Sequence, residues 1–263
     1  MTGRTNVFLT NKMKEKLLKG EVVIGCGVGL EARNVEMAGL LGFDFARFEG
    51  EHGPITYGQL DHFVAVAHLV GVTPTARVPG NVQHEILHYL DLGVLGVTIP
   101  HTASRAGAEA AVWAAKHTPI GGRGDNFHGK LARYGTMGYT QKEYYEAVNQ
   151  ATLVTALIED REGLENVEEI VTTPGIDSID IGPLDLAQSM GLPDPKEVDD
   201  AVVHIVEVAV RAGKPVGVGG SANPKDPDKI RFWLAKGCRY FLGGCSRELI
   251  AVVRQLQEEL GIP

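Results

Sequence analysis

Two acidic residues, Glu159 and Asp185, follow short apolar stretches of the sequence and are candidates for metal binding. Glu159 comes directly after the apolar residues 153–158, so its carboxylate should emerge at the edge of a low-dielectric interior. An isolated buried carboxylate is costly, and a bound cation removes that cost. Two carboxylates with open coordination positions suit a hard ion such as Mg²⁺ or Mn²⁺. The pair predicts a divalent metal site.

A second interpretation of the same two residues needs no metal. Asp185 would cap a short helix at Leu184–Met190, and Glu159 would begin the helix that follows its strand. The sequence leaves both interpretations open.

Three further polar residues stand where function is a plausible explanation. His52 lies in the Gly/Pro-rich residues 50–54, where few core contacts explain it. Arg77 ends an apolar stretch and would be costly there unless it met an anion. Asp91 ends a predicted helix, where a solvated or capping role explains it as well as a functional one.

The elements that must position these residues form a repeating pattern of short apolar runs and longer helical stretches, which is typical of a closed parallel sheet. The predicted strands are Val22–Val28, Phe43–Glu49, Thr73–Val78, Gly96–Pro100, Leu153–Glu159, Ile176–Gly182, Pro215–Gly219 and Tyr240–Gly244. The predicted helices are Tyr57–Leu69, Val82–Leu92, Ala103–Lys116, Arg161–Val171, Pro195–Arg211, Pro227–Lys236 and Ser246–Leu260. Eight strands predict an α/β protein with a (β/α)₈ TIM barrel, whose active site lies at the carboxyl ends of the strands.

Two segments fall outside this repeat. Asn11–Lys19 predicts an amphipathic helix that plugs the barrel floor, and Thr118–Gln150 predicts a long loop after the fourth strand. The loop includes an aromatic-rich helix, Tyr139–Val148, and its length suggests an active-site loop. No linker divides the chain, so residues 1–263 are expected to form a single barrel domain.

Composition narrows the class of partner and the compartment. A formal net charge of −8 argues against a nucleic-acid partner and favours small molecules. The first twenty residues lack the apolar region of a signal peptide, and no apolar run is long enough to span a membrane, which predicts a cytoplasmic protein. Cys26, Cys238 and Cys245 are expected to be buried thiols because they are few and irregularly spaced.

The motifs, taken in order, resemble those of the HpcH/HpaI aldolases, also called the 2,4-dihydroxyhept-2-ene-1,7-dioic acid aldolase family. The resemblance runs from about residue 10 to the C-terminus. It rests on residues 49–54 (EGEHGP), Arg77, Asp91, residues 122–124 (GRG), residues 158–166 (IEDREGLEN) and residues 181–186 (IGPLDL). The resemblance implies a metal-dependent class II aldolase that reversibly cleaves a 2-keto-4-hydroxy acid to pyruvate and an aldehyde through a metal-bound pyruvate enolate.

The resemblance also assigns roles to individual residues. Glu159 and Asp185 would bind the divalent ion (Mg²⁺, Mn²⁺ or Co²⁺), and Arg77 would contact the keto oxygen as it becomes an enolate. His52, with a water, would exchange the proton of the C4 hydroxyl, and Glu49 would orient that histidine. Asp91 would lie close to this site, in the same or a neighbouring subunit.

The substrate carboxylate has its own predicted site, at the backbone around Gly182, Pro183 and Leu184. The resemblance further implies a homo-oligomer, namely a hexamer built as a trimer of dimers. The apolar C-terminal helix Arg247–Leu260 is a candidate for packing on a neighbouring subunit.

The chemistry is consistent with the residues themselves. Cleavage of a carbon–carbon bond beside a ketone needs an electron sink, which is either a metal ion or a lysine Schiff base. Lys116 and Lys130 fall in a predicted helix and a loop, and Lys214 precedes its strand, so no lysine ends a predicted strand on the catalytic side. The sequence therefore favours the metal ion.

Four positions depart from the family pattern and leave the aldehyde undetermined. Glu49 replaces the usual aspartate, Gly27 a frequent tryptophan and Arg47 an apolar residue, while Asp125 follows the GRG motif where small apolar residues are expected. Arg47 lies on the same side of its strand as Glu49, and the two are expected to pair. Removal of an indole at position 27 would enlarge the pocket.

Two other functions are alternatives to the aldolase. An acyl-CoA lyase of the malyl or citryl type would need a basic surface and further C-terminal elements. A phosphate-binding barrel isomerase is suggested by residues 217–220 (GVGG) and by Gly243 and Gly244 after the last two strands.

Overall fold

The computed structural model of the protein describes residues 6–221, 226–244, 254–259 and 261. Eight parallel strands, arranged in sequence order, close into a barrel in which the last strand pairs with the first. The strands are β1 (Val23–Gly27), β2 (Phe45–Glu49), β3 (Thr73–Arg77), β4 (Gly96–Ile99), β5 (Leu153–Ile158), β6 (Ser178–Ile181), β7 (Val216–Val218) and β8 (Tyr240–Gly244). The predicted (β/α)₈ architecture is confirmed, and all eight predicted strands are present.

Helices alternate with these strands along the chain. They are α1 (Lys12–Leu18), α2 (Ala32–Leu40), α3 (Tyr57–Val70), α4 (Gln83–Asp91), α5 (Arg105–Ala115), α6 (Gln141–Ala151), α7 (Arg161–Glu165), α8 (Val167–Val171), α9 (Pro183–Ser189), α10 (Pro195–Arg211) and α11 (Pro227–Ala235), with short 3₁₀ segments at Val7–Leu9 and Lys130–Gly135. Among the described residues, no helix is both long and apolar enough to cross a bilayer.

The helix predictions differ from the structure in three places. Helix α2 was not predicted, because only Val35 and Ala38 are buried and the apolar pattern is weak. The predicted helix Arg161–Val171 divides at Asn166 into α7 and α8. The predicted helix Ser246–Leu260 lies mostly outside the described residues, of which residues 254–259 are helical.

The barrel floor is closed by α1, as its sequence predicted. Met13 and Leu17 of this helix pack against residues at the starts of the strands, including Phe45 and Tyr240. The two rings need glycine neighbours: a Cβ at Gly25 would lie 2.3 Å from the Phe45 ring, and one at Gly217 would lie 2.2 Å from Tyr240. Gly217 is thus explained by packing rather than by phosphate binding.

The long segment after β4 does not lie where the sequence predicted. Its helix α6 and the 3₁₀ turn at Lys130–Gly135 pack against Leu95, which immediately precedes β4. Asn11 ties the end of α6 to the N-terminal region by donating to the Ala151 carbonyl oxygen at 2.7 Å. The segment therefore covers the end of the barrel opposite the carboxyl ends of the strands. The prediction that it forms an active-site loop is wrong for the active site of its own chain.

The two described cysteines are both buried, as predicted. Burial raises the pKa of the Cys238 thiol to about 12, which keeps it protonated and unreactive near neutral pH. Cys245 lies outside the described residues.

The α1 plug predicts a matched pair of stability effects. Met13 is 1% exposed and Leu18, in the same helix, is 76% exposed. Met13→Ala should lower the free energy of unfolding by about 2–5 kcal/mol because it leaves a cavity at the floor. Leu18→Ala should change it by less than about 0.5 kcal/mol. Urea denaturation followed by circular dichroism measures both, and equal effects would contradict the plug.

Candidate active site

A cavity of about 440 Å³ opens at the carboxyl ends of the strands. Glu49 and Arg77 end β2 and β3, and Glu159 and Gly182 directly follow β5 and β6. All four residues line the cavity, as does Asp185. The fold thus brings most of the sequence-predicted site residues to one place, because parallel strands present their carboxyl ends on one face.

Glu159 is the most deeply buried acidic group of this cavity, with 1% of the residue exposed. Its Oε1 accepts a hydrogen bond of 3.0 Å from the backbone N–H of His101, while its Oε2 is buried without a hydrogen-bond partner among the described residues. Burial raises the pKa of Glu159 to about 7, and the nearby carboxylates of Glu51 and Asp185 add to the rise. The neighbouring groups therefore compensate the negative charge of the Glu159 carboxylate only in part.

Gly182 is needed for Glu159 to occupy this position. A Cβ at Gly182 would lie 2.6 Å from Glu159 Oε2 and 2.9 Å from its Cβ, so any other residue would displace the carboxylate. The N–H of Gly182 donates to the Ile158 carbonyl oxygen at 3.2 Å. Gly182 thus has a structural role between β5 and β6.

Neither candidate carboxylate caps a helix. The N-cap of α9 is Gly182, and Asp185 lies three residues later in the first turn of that helix. The N-cap of α7 is Asp160, not Glu159. The capping interpretation is therefore wrong for both residues, and Asp185 remains half-buried on the wall of the cavity.

Arg77 is held in place by two carboxylates. Its Nε contacts both oxygens of Glu49, at 3.1 and 2.9 Å, and its Nη1 lies 3.0 Å from Glu51 Oε2. Burial alone would lower the pKa of Arg77, but Glu49 and Glu51 outweigh it and raise the pKa. The guanidinium is thus a fixed, permanently charged group beside Glu159 in the cavity.

His52 lies at the outer edge of this arrangement, with 63% of its side chain exposed. Glu49 accepts a hydrogen bond of 3.1 Å from the backbone N–H of His52, and so orders the loop. The carboxylate nearest to the imidazole is Glu51, with 3.8 Å between Glu51 Oε2 and His52 Nε2. Glu51, which the sequence analysis did not single out, therefore lies between Arg77 and His52.

The expected pairing of Arg47 with Glu49 is wrong. Arg47 instead contacts Asp180 of β6, with both Nη atoms 3.4 Å from Asp180 Oδ2, and its guanidinium carbon lies 5.7 Å from the centre of the Tyr240 ring. Arg77 lies beside Glu49 instead, because the two residues are directly paired in neighbouring strands β2 and β3. Burial raises the pKa of the Asp180 carboxyl, and Arg47 opposes that rise.

His101, which was not among the predicted site residues, belongs to the site. It comes two residues after β4, and its ring lies 3.1 Å from Asp160, 3.4 Å from Glu51 and 3.8 Å from Glu159. Within the described part of the chain, Glu51, His101 and Glu159 form a group whose ligand atoms all lie within 4.8 Å of one another. His101 directly follows the predicted strand Gly96–Pro100. The same kind of position, at or just after the end of a strand, identified other site residues and could have identified His101.

Asp91 lies elsewhere. It ends α4, and its Oδ1 accepts a hydrogen bond of 2.8 Å from Arg123, whose side chain is fully buried. It does not line the cavity. Within one chain the fold does not bring Asp91 to Glu159.

Comparison with known proteins finds one family model and similar aldolases over most of the chain. A family model described as HpcH/HpaI aldolase/citrate lyase matches residues 28–238. The 2-keto-3-deoxy-L-rhamnonate aldolase of Escherichia coli O157:H7 is 31% identical over 246 residues, which cover 93% of this chain and 90% of that protein. The 5-keto-4-deoxy-D-glucarate aldolase of Shigella dysenteriae serotype 1 (strain Sd197) is 31% identical over 259 residues, 97% of each chain.

A solved structure also resembles the whole barrel. The crystal structure of the citrate synthase SbnG superposes with a TM-score of 0.78 at 28% identity and covers 96% of this chain and 97% of its own. The match therefore extends beyond the residues of the cavity.

The Arg47–Asp180 pair predicts a non-additive effect of mutation. Arg47→Met should lower the free energy of unfolding by about 3–5 kcal/mol, because it leaves the Asp180 carboxyl buried and unpaired. The double variant Arg47→Met/Asp180→Leu should be more stable than the Arg47→Met protein, since both charges are then removed. Chemical denaturation of the two single variants and the double variant measures the coupling, and additive losses would show that the groups do not interact.

Proposed function

The chain belongs to the HpcH/HpaI aldolase/citrate lyase family and is a carbon–carbon lyase, and from this premise we propose the reaction and the roles of its residues. The protein is a metal-dependent class II aldolase that reversibly cleaves a 2-keto-4-hydroxy acid to pyruvate and an aldehyde. The observation that carries the proposal is the buried Glu159, whose Oε2 has no hydrogen-bond partner among the described residues, facing a cavity that also contains Arg77.

The donor set fits a divalent metal ion. Glu159 and Asp185 would bind it, since both line the cavity and a cation would compensate the buried carboxylate. Carboxylate oxygens favour Mg²⁺ or Mn²⁺, and Co²⁺ is the third candidate. When bound, the ion supplies a Lewis acid that stabilises negative charge developing beside the keto group.

Arg77 is proposed to donate to the keto oxygen of the substrate as that oxygen gains negative charge. Its contacts with Glu49 and Glu51 fix the guanidinium before the substrate arrives, so little reorganisation accompanies the reaction. Glu49 thereby supports catalysis as a positioning residue for Arg77, and through its backbone contact for the loop of His52.

His52 is proposed to exchange the C4 hydroxyl proton with the substrate through a water. His52 is exposed, and its Nε2 lies 3.8 Å from Glu51, which in turn contacts Arg77 of the cavity wall. A water at this ring would carry the proton between the imidazole and a substrate held beside Arg77.

The substrate carboxylate is proposed to bind at the first turn of α9, with Gly182, Pro183 and Leu184 shaping its site. Pro183 has no N–H and the N–H of Gly182 is used by Ile158, so the donors left in this turn are those of Leu184 and Asp185. A neighbouring cation would strengthen the same binding.

The assembly and location also belong to the proposal. We propose a cytoplasmic homo-oligomer, a hexamer arranged as a trimer of dimers, in which Asp91 approaches the active site of a neighbouring subunit. Asp91 lies on α4 and does not line the cavity of its own chain, so a role at an active site requires a neighbouring subunit.

Metal removal is the first test. Exhaustive chelation should abolish pyruvate release from a 2-keto-4-hydroxy acid, and Mn²⁺, Mg²⁺ or Co²⁺ should restore it, because the Lewis acid is lost and returned. A coupled lactate dehydrogenase assay measures the pyruvate. Circular dichroism of the chelated protein controls for unfolding, and full activity of a demonstrably metal-free protein would exclude the metal-dependent reaction.

Substitution of Arg77 is the second test. Arg77→Ala should reduce kcat by about 10²–10³-fold, the range seen when a preorganised donor to an oxyanion is removed. Arg105→Ala, which removes an exposed arginine paired with Glu109, is the matched control and should leave turnover unchanged. Equal turnover in the Arg77→Ala and wild-type proteins would remove Arg77 from the mechanism.

A further inference from the structure

His101 stands at the end of β4 with its ring among three carboxylates, and the proposed reaction gives it no role. One ring nitrogen, Nδ1, lies 3.1 Å from Asp160 Oδ2, and the other, Nε2, lies 3.4 Å from Glu51 Oε1. Glu159 Oε1 is 3.8 Å from the same Nδ1 atom. Such a position requires an explanation, because an exposed histidine at a loop has no packing reason to face three acidic groups.

The backbone of His101 is held in an unusual conformation that produces this orientation. Its φ is 50°, in the left-handed region that residues other than glycine seldom adopt. In this conformation the N–H of His101 donates to Glu159 Oε1 at 3.0 Å, while its ring faces Asp160 and Glu51. Both polar parts of one residue are thus directed at the same carboxylate cluster.

A second observation concerns Glu159, the buried member of this cluster. Glu159 is 1% exposed, yet its Oε2 has no hydrogen-bond partner within the described residues. Buried carboxylate oxygens are normally satisfied by protein groups, water or an ion, and a bound ion would satisfy this one. A ring nitrogen of His101 and an oxygen of Glu51 lie within 4.8 Å of a Glu159 oxygen, close enough for a single ion to contact all three.

The hydrogen bonds of His101 follow the pattern of a metal-bound histidine. Such a histidine usually donates its other ring N–H to a carboxylate, which fixes the tautomer and the ring plane. Asp160 occupies that position at Nδ1, which leaves Nε2 for an ion. The separation of 3.4 Å between Nε2 and Glu51 Oε1 is long for a hydrogen bond. It matches the spacing of two ligand atoms about 2.0–2.1 Å from one ion at a tetrahedral angle.

We propose that His101 Nε2 is a nitrogen ligand of the divalent ion at Glu159, with Glu51 as a further oxygen ligand. The inference rests on the proposed metal site but not on the reaction. A nitrogen donor shifts the preference of an otherwise all-oxygen site toward Zn²⁺ or Co²⁺ and away from Mg²⁺. The affinity for Zn²⁺ or Co²⁺ relative to Mg²⁺ is thereby higher than two carboxylates alone would give.

The test compares the metal-loaded wild-type protein with two histidine variants. His101→Asn is the informative variant, because asparagine tolerates the left-handed backbone and should preserve the loop. His84→Ala is the matched control, since His84 is an exposed histidine on α4 that contacts Glu85 and lies outside the cavity. Glu159→Gln removes the proposed ion-binding carboxylate while keeping a similar shape.

Pulsed electron paramagnetic resonance of the Mn²⁺-loaded proteins gives the first readout. The wild-type and His84→Ala proteins should show coupling to a directly bound ¹⁴N, and His101→Asn should lack it. The second readout is the ratio of Kd for Mg²⁺ to Kd for Zn²⁺, measured by competition with a chelating dye. His101→Asn should lower this ratio by about 10–100-fold.

The outcomes separate this inference from the proposed function. If Mn²⁺ binds to the wild-type protein without ¹⁴N coupling, or if the coupling survives in His101→Asn, His101 is not a ligand and the aldolase proposal is unaffected. If Mn²⁺ binds equally well to wild-type and Glu159→Gln proteins, the ion does not occupy this site, and both proposals are overturned.

Discussion

The burial of the Glu159 carboxylate is the constraint on which the rest of the site depends. An apolar strand, β5, delivers this group to a position with 1% exposure, where its charge must be compensated or its proton retained. The neighbouring residues accommodate this carboxylate and compensate part of its charge. Gly182 makes room for one carboxylate oxygen, the N–H of His101 satisfies the other, and Arg77 brings a fixed positive charge to the same cavity. The Oε2 atom of Glu159 has no partner among the described residues, and it is there that we propose a bound cation.

The barrel beneath this site combines a closed floor with a polar interior. Helix α1 and the rings of Phe45 and Tyr240 fill the lower end, and the described residues that line the cavity lie toward the carboxyl ends of the strands. One layer above the floor, Arg47 and Asp180 form a buried ion pair where barrels more often contain bulky apolar residues. This pair borders the cavity, and its polar surface distinguishes the interior from an ordinary hydrophobic core.

Sequence patterns were sufficient for the architecture and for the site residues that end strands, because strand periodicity and the placement of active sites in barrels are general rules. They did not predict which side chains pair when the two residues are far apart in the sequence. Arg47 pairs with Asp180, 133 positions away, rather than with Glu49, and only the closed sheet brings these two strands to face each other across the interior. His101 directly follows a predicted strand, as other site residues do, but nothing in the sequence indicates the left-handed backbone at this residue or the approach of its ring to Glu51.

The central claim is that one divalent ion, bound between β5 and β6, organises this cavity for cleavage next to a keto group. Crystals of the protein soaked with Mn²⁺ and pyruvate test it directly through anomalous scattering at the manganese edge. The account predicts a single strong peak in contact with carboxylate oxygens of Glu159 and Asp185, with pyruvate beside it. A map without a peak at Glu159, or with the ion bound only at other carboxylates, would contradict the account.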